Sequence, residues 1–448
     1  MHSRKKTKVL EAKRPGTLLL TLAATALASG FAGGARADSL QDLKEQVDAL
    51  LRQVATLEQQ QRALSSAQDA AASNAVTGGA TKGSFKLPGS STSVTLGGYV
   101  KLDAVFSDRS AGVGSSADQE YEAGGVPVGP DAGANERNQV KLHARQTRFF
   151  LKTGTPSAWG ELGTYLEMDL FGTAGNESVS NSHNLRLRHA YGSLGPLLMG
   201  QTWTNFSDVA AYPETVDFGG PAGTIFARQA QIRWTQAFGG GQWSVALENP
   251  ETVVSLPNGA SFRADDDRVP DLTANIRFDT NLGRYSIAAI ARHLRVDSAS
   301  DPASRSAKWG GGLGVNAVIP SIGNDDLRLS LYYGNALGRY TAGFFNDALL
   351  DGNGSIRLPN QWIAMAAYRH FWTPTLRSTM ALSALRSNNP AGTAGSVNRS
   401  AQSAHVNLMW SPIPQTNFGL EYIVATREIE NGQSGRLNRL QVSGQYLF

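Results

Sequence analysis

From Val94 to the end of the chain, apolar and polar residues alternate with a period of two. In the first such segment the apolar positions are Val94, Leu96, Val100, Leu102, Ala104 and Phe106. The polar positions of the same segment are Thr95, Tyr99, Lys101 and Asp103. Because successive side chains of a β-strand point to opposite faces, this pattern predicts strands with one apolar face and one polar face.

The alternation recurs in sixteen segments. They are residues 94–108, 142–154, 160–171, 185–195, 197–203, 227–238, 241–249, 270–279, 283–296, 307–320, 326–338, 357–372, 375–387, 399–411, 415–428 and 434–448. Short turns between them alternate with long connections such as 109–141 and 204–226. An even strand number, with short turns on one rim and long loops on the other, is typical of outer-membrane barrels. The predicted fold is all-β and transmembrane: a 16-stranded antiparallel β-barrel over residues 94–448, after a short N-terminal coiled-coil helix.

The chain before the barrel divides into three segments. Residues 1–16 are basic, 17–28 are apolar and 35–37 are Ala-Arg-Ala, so we expect residues 1–37 to be a secretory signal peptide. Its apolar run is shorter than the about 20 residues that a spanning helix needs. Residues 69–93 are Gly/Ser-rich and predict a flexible linker.

Between the leader and the linker, residues 38–68 carry a heptad pattern. Its seam is Leu40, Leu43, Val47, Leu50, Val54, Leu57, Gln61 and Leu64. This spacing predicts a coiled-coil stalk in the periplasm. β-Branched residues at the a positions, with leucine at the d positions, favour a coiled coil of two helices in isolation. The alternative is an amphipathic helix that lies on the barrel.

Composition narrows the class of protein. The 448 residues include 48 glycines and no cysteine, and 17% are charged, which does not fit a disulfide scaffold, a disordered tail or a helical membrane protein. The formal charge of +4 comes from the leader, which holds seven Lys/Arg and one acid. The remainder has 34 basic and 36 acidic residues (41 − 7 and 37 − 1). We therefore expect no nucleic-acid partner.

If the apolar face of each strand meets lipid, the opposite face lines the lumen. The basic residues on that face are Lys101, Arg148, Lys152, Arg186, Arg188, Arg233, Arg277, Arg292, Arg369, Arg377 and Arg439. The acids there are Asp103, Glu167, Asp169, Glu248 and Glu421. A basic wall raises the local concentration of anions in a narrow pore, and the arginine fork grips carboxylates. This predicts an anion-preferring path for small carboxylates, with Arg148, Arg186, Arg188, Arg233 and Arg377 as its main ladder. The alternative is that these arginines only pair with the lumen acids.

The third long connection, residues 204–226, is rich in aromatic and acidic residues. Its position predicts a loop that folds inward and narrows the channel, whereas a simple surface loop would need no such apolar content. The candidate constriction residues are Asp208, Tyr212, Glu214, Asp217 and Phe218. We expect its acids to face the arginines of the opposite wall and to set up a transverse field.

The chain ends on an aromatic residue in an alternating strand. Tyr446 and Phe448 resemble the terminal signal by which outer-membrane barrels are recognised for assembly. We therefore expect the barrel-assembly machinery and outer-membrane lipid to be partners of this chain.

Several segments resemble one known family. They are RQTRFFLKTGT (145–155), LRLRHAYGSLGPLLMGQTWTNF (185–206), PETVDFGGPAG (213–223) and RQAQIRWT (228–235). They are similar to the DcaP-like outer-membrane porins, which are trimeric sixteen-stranded channels often preceded by a coiled coil. The resemblance implies a homotrimer and dicarboxylates as the solute class.

The pattern as a whole predicts an anion-preferring porin of the Gram-negative outer membrane, and three other functions are alternatives to it. Catalysis is not expected, because the histidines have neither metal spacing nor a nearby G-x-S-x-G motif, and for the same reason we expect no cofactor or metal. A general or sugar-selective porin remains an alternative, although no stripe of aromatic residues stands out. A structural anchor that uses the coiled coil is the third.

Overall fold

The computed structural model describes residues 37–109, 118–130, 138–172, 178–297, 305–341 and 345–448. All but the last residue of the predicted signal peptide therefore lies outside the described residues. The described chain divides into two units, the first ending at Ala75 and the second beginning at Val76.

The N-terminal unit contains one long helix, α1 (Ala37–Asn74). The seam residues Leu43, Val47, Leu50 and Leu57 are exposed along it. The helix extends past residue 68 into the segment expected to be linker, because residues 67–72 are rich in alanine, the strongest helix former. No helix in the described residues is both long and apolar enough to cross a membrane.

The second unit contains the β-strands. In the described residues they are β1 (Phe85–Lys86), β2 (Ser93–Ser107), β3 (Gln139–His143), β4 (Arg148–Ser157), β5 (Gly160–Asp169), β6 (Arg186–Leu194), β7 (Leu197–Trp203), β8 (Arg228–Phe238), β9 (Gly241–Glu248), β10 (Val253–Ser255), β11 (Ser261–Arg263), β12 (Asp271–Thr280), β13 (Gly283–Val296), β14 (Ser306–Pro320), β15 (Asp326–Asn335), β16 (Ala348–Leu350), β17 (Ile356–Arg357), β18 (Asn360–Phe371), β19 (Leu376–Asn388), β20 (Asn398–Trp410), β21 (Thr416–Ile429) and β22 (Ser434–Leu447).

Sixteen spanning strands close into an antiparallel barrel. Each pairs with the next, and β22 returns to β2 with Leu447 opposite Tyr99 and Arg439 opposite Ser107. Closure leaves no unpaired strand edge in the apolar part of a membrane. The predicted 16-stranded barrel with an N-terminal helix is confirmed.

The two faces of the wall follow the alternation of the sequence. Leu102, Leu313 and Leu420 are exposed on the outside, as expected of side chains that meet lipid. Asp103 and Glu421, which are neighbours of outward residues in the chain, are buried inside. The inside of this barrel is therefore polar and its outside apolar.

The second spanning strand departs from the prediction because it is interrupted. β2 pairs with both β3 and β4, and residues 144–147 of the intervening bend oppose only three residues of β2. A hydrogen bond of 3.0 Å from the Thr147 amide to the Ala144 carbonyl closes the bend. Such a bulge re-aims side chains, and here it buries Arg145, which donates to the Leu170 carbonyl and to Gln119.

Two long connections pair with each other in a small sheet that is separate from the barrel sheet. β10 and β11, from the connection after β9, form one small sheet with β16 and β17, from the connection after β15. β10 and β16 pair in parallel, and Val254 and Ala348 are fully buried there. Within the expected linker, β1 pairs with the start of β2, so part of that segment is ordered against the barrel.

Candidate functional site: the lumen constriction

Loop 3, residues 204–227 between β7 and β8, folds into the barrel. Phe206 and Ile225 on this loop are fully buried. Its backbone is held by the far wall: the Val216 amide donates to Glu421 at 2.7 Å, and the Glu214 carbonyl accepts from Asn407 at 2.7 Å. Hydrogen bonds at both positions fix loop 3 across the lumen.

The three loop-3 acids have different surroundings. Glu214 accepts two hydrogen bonds from Arg377, at 2.5 and 2.7 Å, and lies 3.9 Å from Arg369. Asp217 is 2% exposed and lies 3.9 Å from Arg439. Asp208 instead accepts from the Ala210 amide and caps a short helical turn.

The aromatic side chains of loop 3 pack toward β6 and β7. Phe218 stacks on Phe171 with ring centroids 4.7 Å apart. The Tyr212 ring contacts Trp203, and its hydroxyl donates to the Ile225 carbonyl. Burial raises the pKa of the Tyr212 hydroxyl, so it remains a neutral donor.

Loop 1, residues 108–138 between β2 and β3, also enters the lumen in its described part, residues 118–130. The Tyr121 amide donates to both carboxylate oxygens of Asp217 at 3.0 Å, and the Tyr121 ring packs edge-on against His405. The entry of this loop into the lumen was not predicted from the sequence. Its one signal is the group Asp118-Gln119-Glu120-Tyr121 within a stretch of small residues.

An arginine cluster lies on the wall that faces these two loops. We define it as Arg148, Arg186, Arg188 and Arg228 around the carboxylates Glu167 and Asp169. Arg188 donates to Glu167 at 2.6 Å and to Asp169 at 3.0 Å. Arg186 forms two hydrogen bonds with Asp169, and Arg148 lies 3.5 Å from Glu167. Three guanidinium groups contact the two carboxylates and Arg228 adds a fourth, so the arginine cluster carries excess positive charge.

A β-bulge produces this density of charge. Glu167 pairs with His189 and Met168 pairs with Leu187, so Arg188 is the extra residue of β6. Both Arg188 and His189 are buried beside Glu167. A regular strand would have sent one of these neighbours to the lipid face.

Arg228, the first residue of β8, is not among the residues predicted to face the lumen. Its guanidinium lies over the rings of Trp203 and Phe226, at 4.9 and 5.4 Å from their centroids. In the described residues its buried Nη1 has no hydrogen-bond partner and no carboxylate lies within ion-pair distance. Arg228 begins the RQAQIRWT segment, which was noted only for the family resemblance. Strict strand alternation places Arg228 on the face opposite to Arg233, which was assigned to the lumen.

The other predicted lumen residues are mostly ion-paired. Lys101 bonds Asp103 at 2.9 Å, Arg277 bonds Asp279 at 3.0 Å, and Arg292 is fully buried between Asp271 and Asp347. Arg369 pairs with Asp326. With Arg148, Arg186 and Arg188 of the cluster, and with Arg377 and Arg439, nine of the eleven basic residues predicted to face the lumen lie within 4.0 Å of a carboxylate. For Lys152, which is exposed, and for Arg233 no ion pair is present in the described residues.

A cavity of about 620 Å³ separates the arginine cluster from loop 1. Arg186, Arg228, Phe218 and Phe226 line it together with Glu120 and Glu122. Arg186 keeps 28% of its side chain exposed. Arg263 and Arg339 also line the cavity. Arg263 pairs with Glu251, and Arg339 pairs with Asp271.

Burial changes the ionisation of the loop acids. Desolvation raises the pKa of the Glu120 carboxyl to about 8, and the nearby Glu122 adds to this shift. Burial also raises the pKa of Asp217, against the opposing effect of Arg439. The cavity is therefore most positive when Glu120 is protonated.

The end of the chain completes the barrel wall. Tyr446 pairs with Val100 on one side and Thr416 on the other. The Phe448 amide donates to the Gly98 carbonyl at 3.1 Å, while the Phe448 side chain is 70% exposed.

Comparison with known proteins agrees with this architecture. Among solved structures, the fold resembles the outer membrane channel DcaP of Acinetobacter baumannii, with a TM-score of 0.68 and 24% identity over 80% of this chain and 97% of that one. It also resembles the trimer form of OmpT, an outer membrane protein of Vibrio cholerae, with a TM-score of 0.50 and 8% identity over 80% and 99% of the two chains. No curated protein matches the chain. The DcaP outer membrane protein family matches residues 22–448, which confirms the resemblance, and this chain belongs to that family of outer-membrane porins.

Proposed function

We propose that this porin prefers anions and passes small carboxylates, dicarboxylates in particular, by passive diffusion. The observation that carries the proposal is the arginine cluster beside the 620 Å³ cavity, where the Arg228 guanidinium has no carboxylate within ion-pair distance in the described residues. An incompletely neutralised guanidinium in a narrow aqueous path attracts anions. Its planar fork also matches the geometry of a carboxylate.

Dicarboxylates suit the site because two guanidinium groups of the arginine cluster line the cavity. Arg186 and Arg228 both line it, and Arg186 shares its charge with Asp169. A solute with two carboxylates would engage both groups at once, which makes its residence longer than that of chloride.

Assembly and location belong to the same proposal. We propose that residues 1–37 are removed as a signal peptide and that α1 is a periplasmic stalk whose leucine seam holds a homotrimer. The exposed seam residues support this, and the similar Vibrio cholerae OmpT has a trimer form. The exposed terminal Phe448 is consistent with recognition by the barrel-assembly machinery.

The test is the reversal potential of the purified porin in a planar bilayer under a salt gradient, repeated with succinate in place of chloride. We expect an anion-selective reversal and block of the chloride current by succinate. Arg228→Gln should weaken this block about tenfold, because a hydrogen bond to a charged group contributes about 1.5–3 kcal/mol. The matched control is Arg399→Gln, which removes a rim charge that pairs with Glu428 and does not line the cavity.

A general porin is the second candidate, and the extent of ion pairing favours it. Nine of the eleven predicted basic residues lie close to a carboxylate, which leaves little spare charge away from the arginine cluster. An unselective reversal potential, with no block by succinate, would support the general porin and contradict our proposal.

A further inference from the structure

Loop 1 contributes the acids that face the arginine cluster. Glu120 and Glu122 line the same cavity as Arg186 and Arg228. Glu120 is only 8% exposed, and within the described residues it has no ion pair. The cavity lining thus includes guanidinium groups of the arginine cluster and carboxyl groups of loop 1, while Glu251, which also lines it, pairs with Arg263.

The loop-3 acids do not face this cavity. The Glu214 carboxylate accepts two hydrogen bonds from Arg377. Asp217 is buried and receives the backbone amides of Tyr121 and Gly219, at 3.0 and 2.8 Å. Asp208 caps its own helical turn. None of the three lines the cavity that holds Arg186 and Arg228.

Loop 1 is held firmly enough to present its acids at a fixed place. The Tyr121 amide bonds Asp217 of loop 3, and the Gln119 carbonyl is 2.7 Å from His143 on β3. A Cβ atom on Gly219 would lie 1.9 Å from the Tyr121 carbonyl oxygen. The close approach of the two loops therefore needs glycine at that position.

We infer that Glu120 and Glu122 of loop 1, and not the acids of loop 3, form the negative side of the constriction and set how strongly the pore prefers anions. The inference rests on the proposed function, because it concerns the strength of that preference. It assigns the negative side of the predicted transverse field to loop 1 instead of loop 3.

The arrangement makes selectivity depend on pH. Besides desolvation, the groups that face Glu120 are Glu122 on its own loop, Asp217 on loop 3, Arg186 on β6 and Arg145 in the bend before β4. The two acids raise its pKa and the two arginines lower it, with a net result of about 8. Below that pH Glu120 is mostly neutral, and above it a negative charge opposes the arginine cluster. Anion preference should therefore fall as the pH rises through about 8.

The experiment is the reversal potential of wild type, Glu120→Gln and Glu122→Gln under a salt gradient, at about pH 6 and about pH 9, on either side of the Glu120 transition. In wild type the anion-to-cation permeability ratio should fall about twofold or more between these values, because a unit charge beside a narrow path changes local ion concentrations by about that factor. Glu120→Gln should keep the high ratio at both values. Glu122→Gln should raise the ratio at both values. Glu430→Gln is the matched control, because it removes an acid on the last loop that bonds Asn389 and does not line the cavity.

Each outcome separates this inference from the proposed function. A wild-type ratio that favours anions equally at both pH values, or a Glu120→Gln variant that keeps the wild-type pH dependence, would overturn the role of loop 1 alone. A wild type without anion preference at about pH 6, where Glu120 is neutral, would overturn the proposed function as well. Conductance in concentrated salt and heat-dependent gel mobility show that each variant is folded.

Discussion

Two arginines of the same cluster differ in how much of their charge remains for a solute. Arg188 is buried and donates to both Glu167 and Asp169, so its charge is largely neutralised in place. Arg228 lies over two aromatic rings, with its Nη1 unsatisfied in the described residues. A half-buried guanidinium with a buried, unsatisfied nitrogen is costly, and such costs are commonly retained at functional sites.

At the residue scale, Gly219 offers a test of the contact between loops 1 and 3. Gly219→Ala should displace loop 1, because no side chain fits against the Tyr121 carbonyl. We expect higher single-channel conductance and loss of the pH dependence of selectivity. The matched control is Gly220→Ala: Gly220 has nothing within 4 Å and a φ of 67°, so its substitution costs only about 1 kcal/mol of backbone strain. Equal conductance of both variants and wild type would contradict this role of Gly219.

Local alternation determines which side of each spanning strand is apolar. Two irregularities, a bend before β4 and a bulge in β6, determine where charge is concentrated. The bend before β4 buries Arg145, and the bulge in β6 brings Arg188 and His189 to the same side of the wall. Each irregularity shifts the phase of the apolar alternation within a segment that was predicted as one strand. An element can therefore be assigned correctly while the direction of one of its side chains is not.

At the element scale, deletion of single residues tests the bulge in β6. Deleting Arg188 should restore a regular ladder, because its neighbours Leu187 and His189 already pair with Met168 and Glu167. We expect a folded barrel with reduced anion preference. Deleting Leu187 should instead place Arg188 opposite Met168 on the lipid side, at a cost of about 1 to 4 kcal/mol depending on depth.

Refolding yield into detergent micelles and the reversal potential measure these two effects. If both deletions fold equally well, the bulge does not protect the lipid face in the way described. If the Arg188 deletion keeps full anion preference, Arg188 adds nothing to the field of the arginine cluster.

The whole molecule combines a self-contained barrel with a helix that takes no part in the barrel ladder. All strand pairing of the closed barrel lies within residues 93–447, and α1 ends at Asn74. Closure satisfies every spanning strand from within the barrel, which is the condition for stability in lipid. The barrel therefore has the contacts it needs to fold without the helix.

At the scale of the whole molecule, we expect removal of residues 38–74 to leave the conductance of each pore unchanged and to weaken the oligomer. A finer test compares Leu50→Asn on the seam with Leu51→Asn off the seam, since both side chains are exposed leucines of the same helix. Only the seam variant should lower the temperature at which oligomers dissociate on gels. Equal dissociation temperatures for the two variants would assign the helix another role.

Much of the architecture was determined by the sequence alone, and the reason is that period-two alternation is local. It predicted the strand number and the two faces of the wall, and the family motifs within 185–235 were sufficient to identify the family. Tertiary structure decided what each lumen charge meets, because ion pairs form between residues far apart in the chain, such as Arg377 with Glu214 and Arg292 with Asp347. It also decided that loop 1 enters the pore and that Arg228 faces the cavity, since both depend on contacts across the closed barrel and on no pattern within either segment.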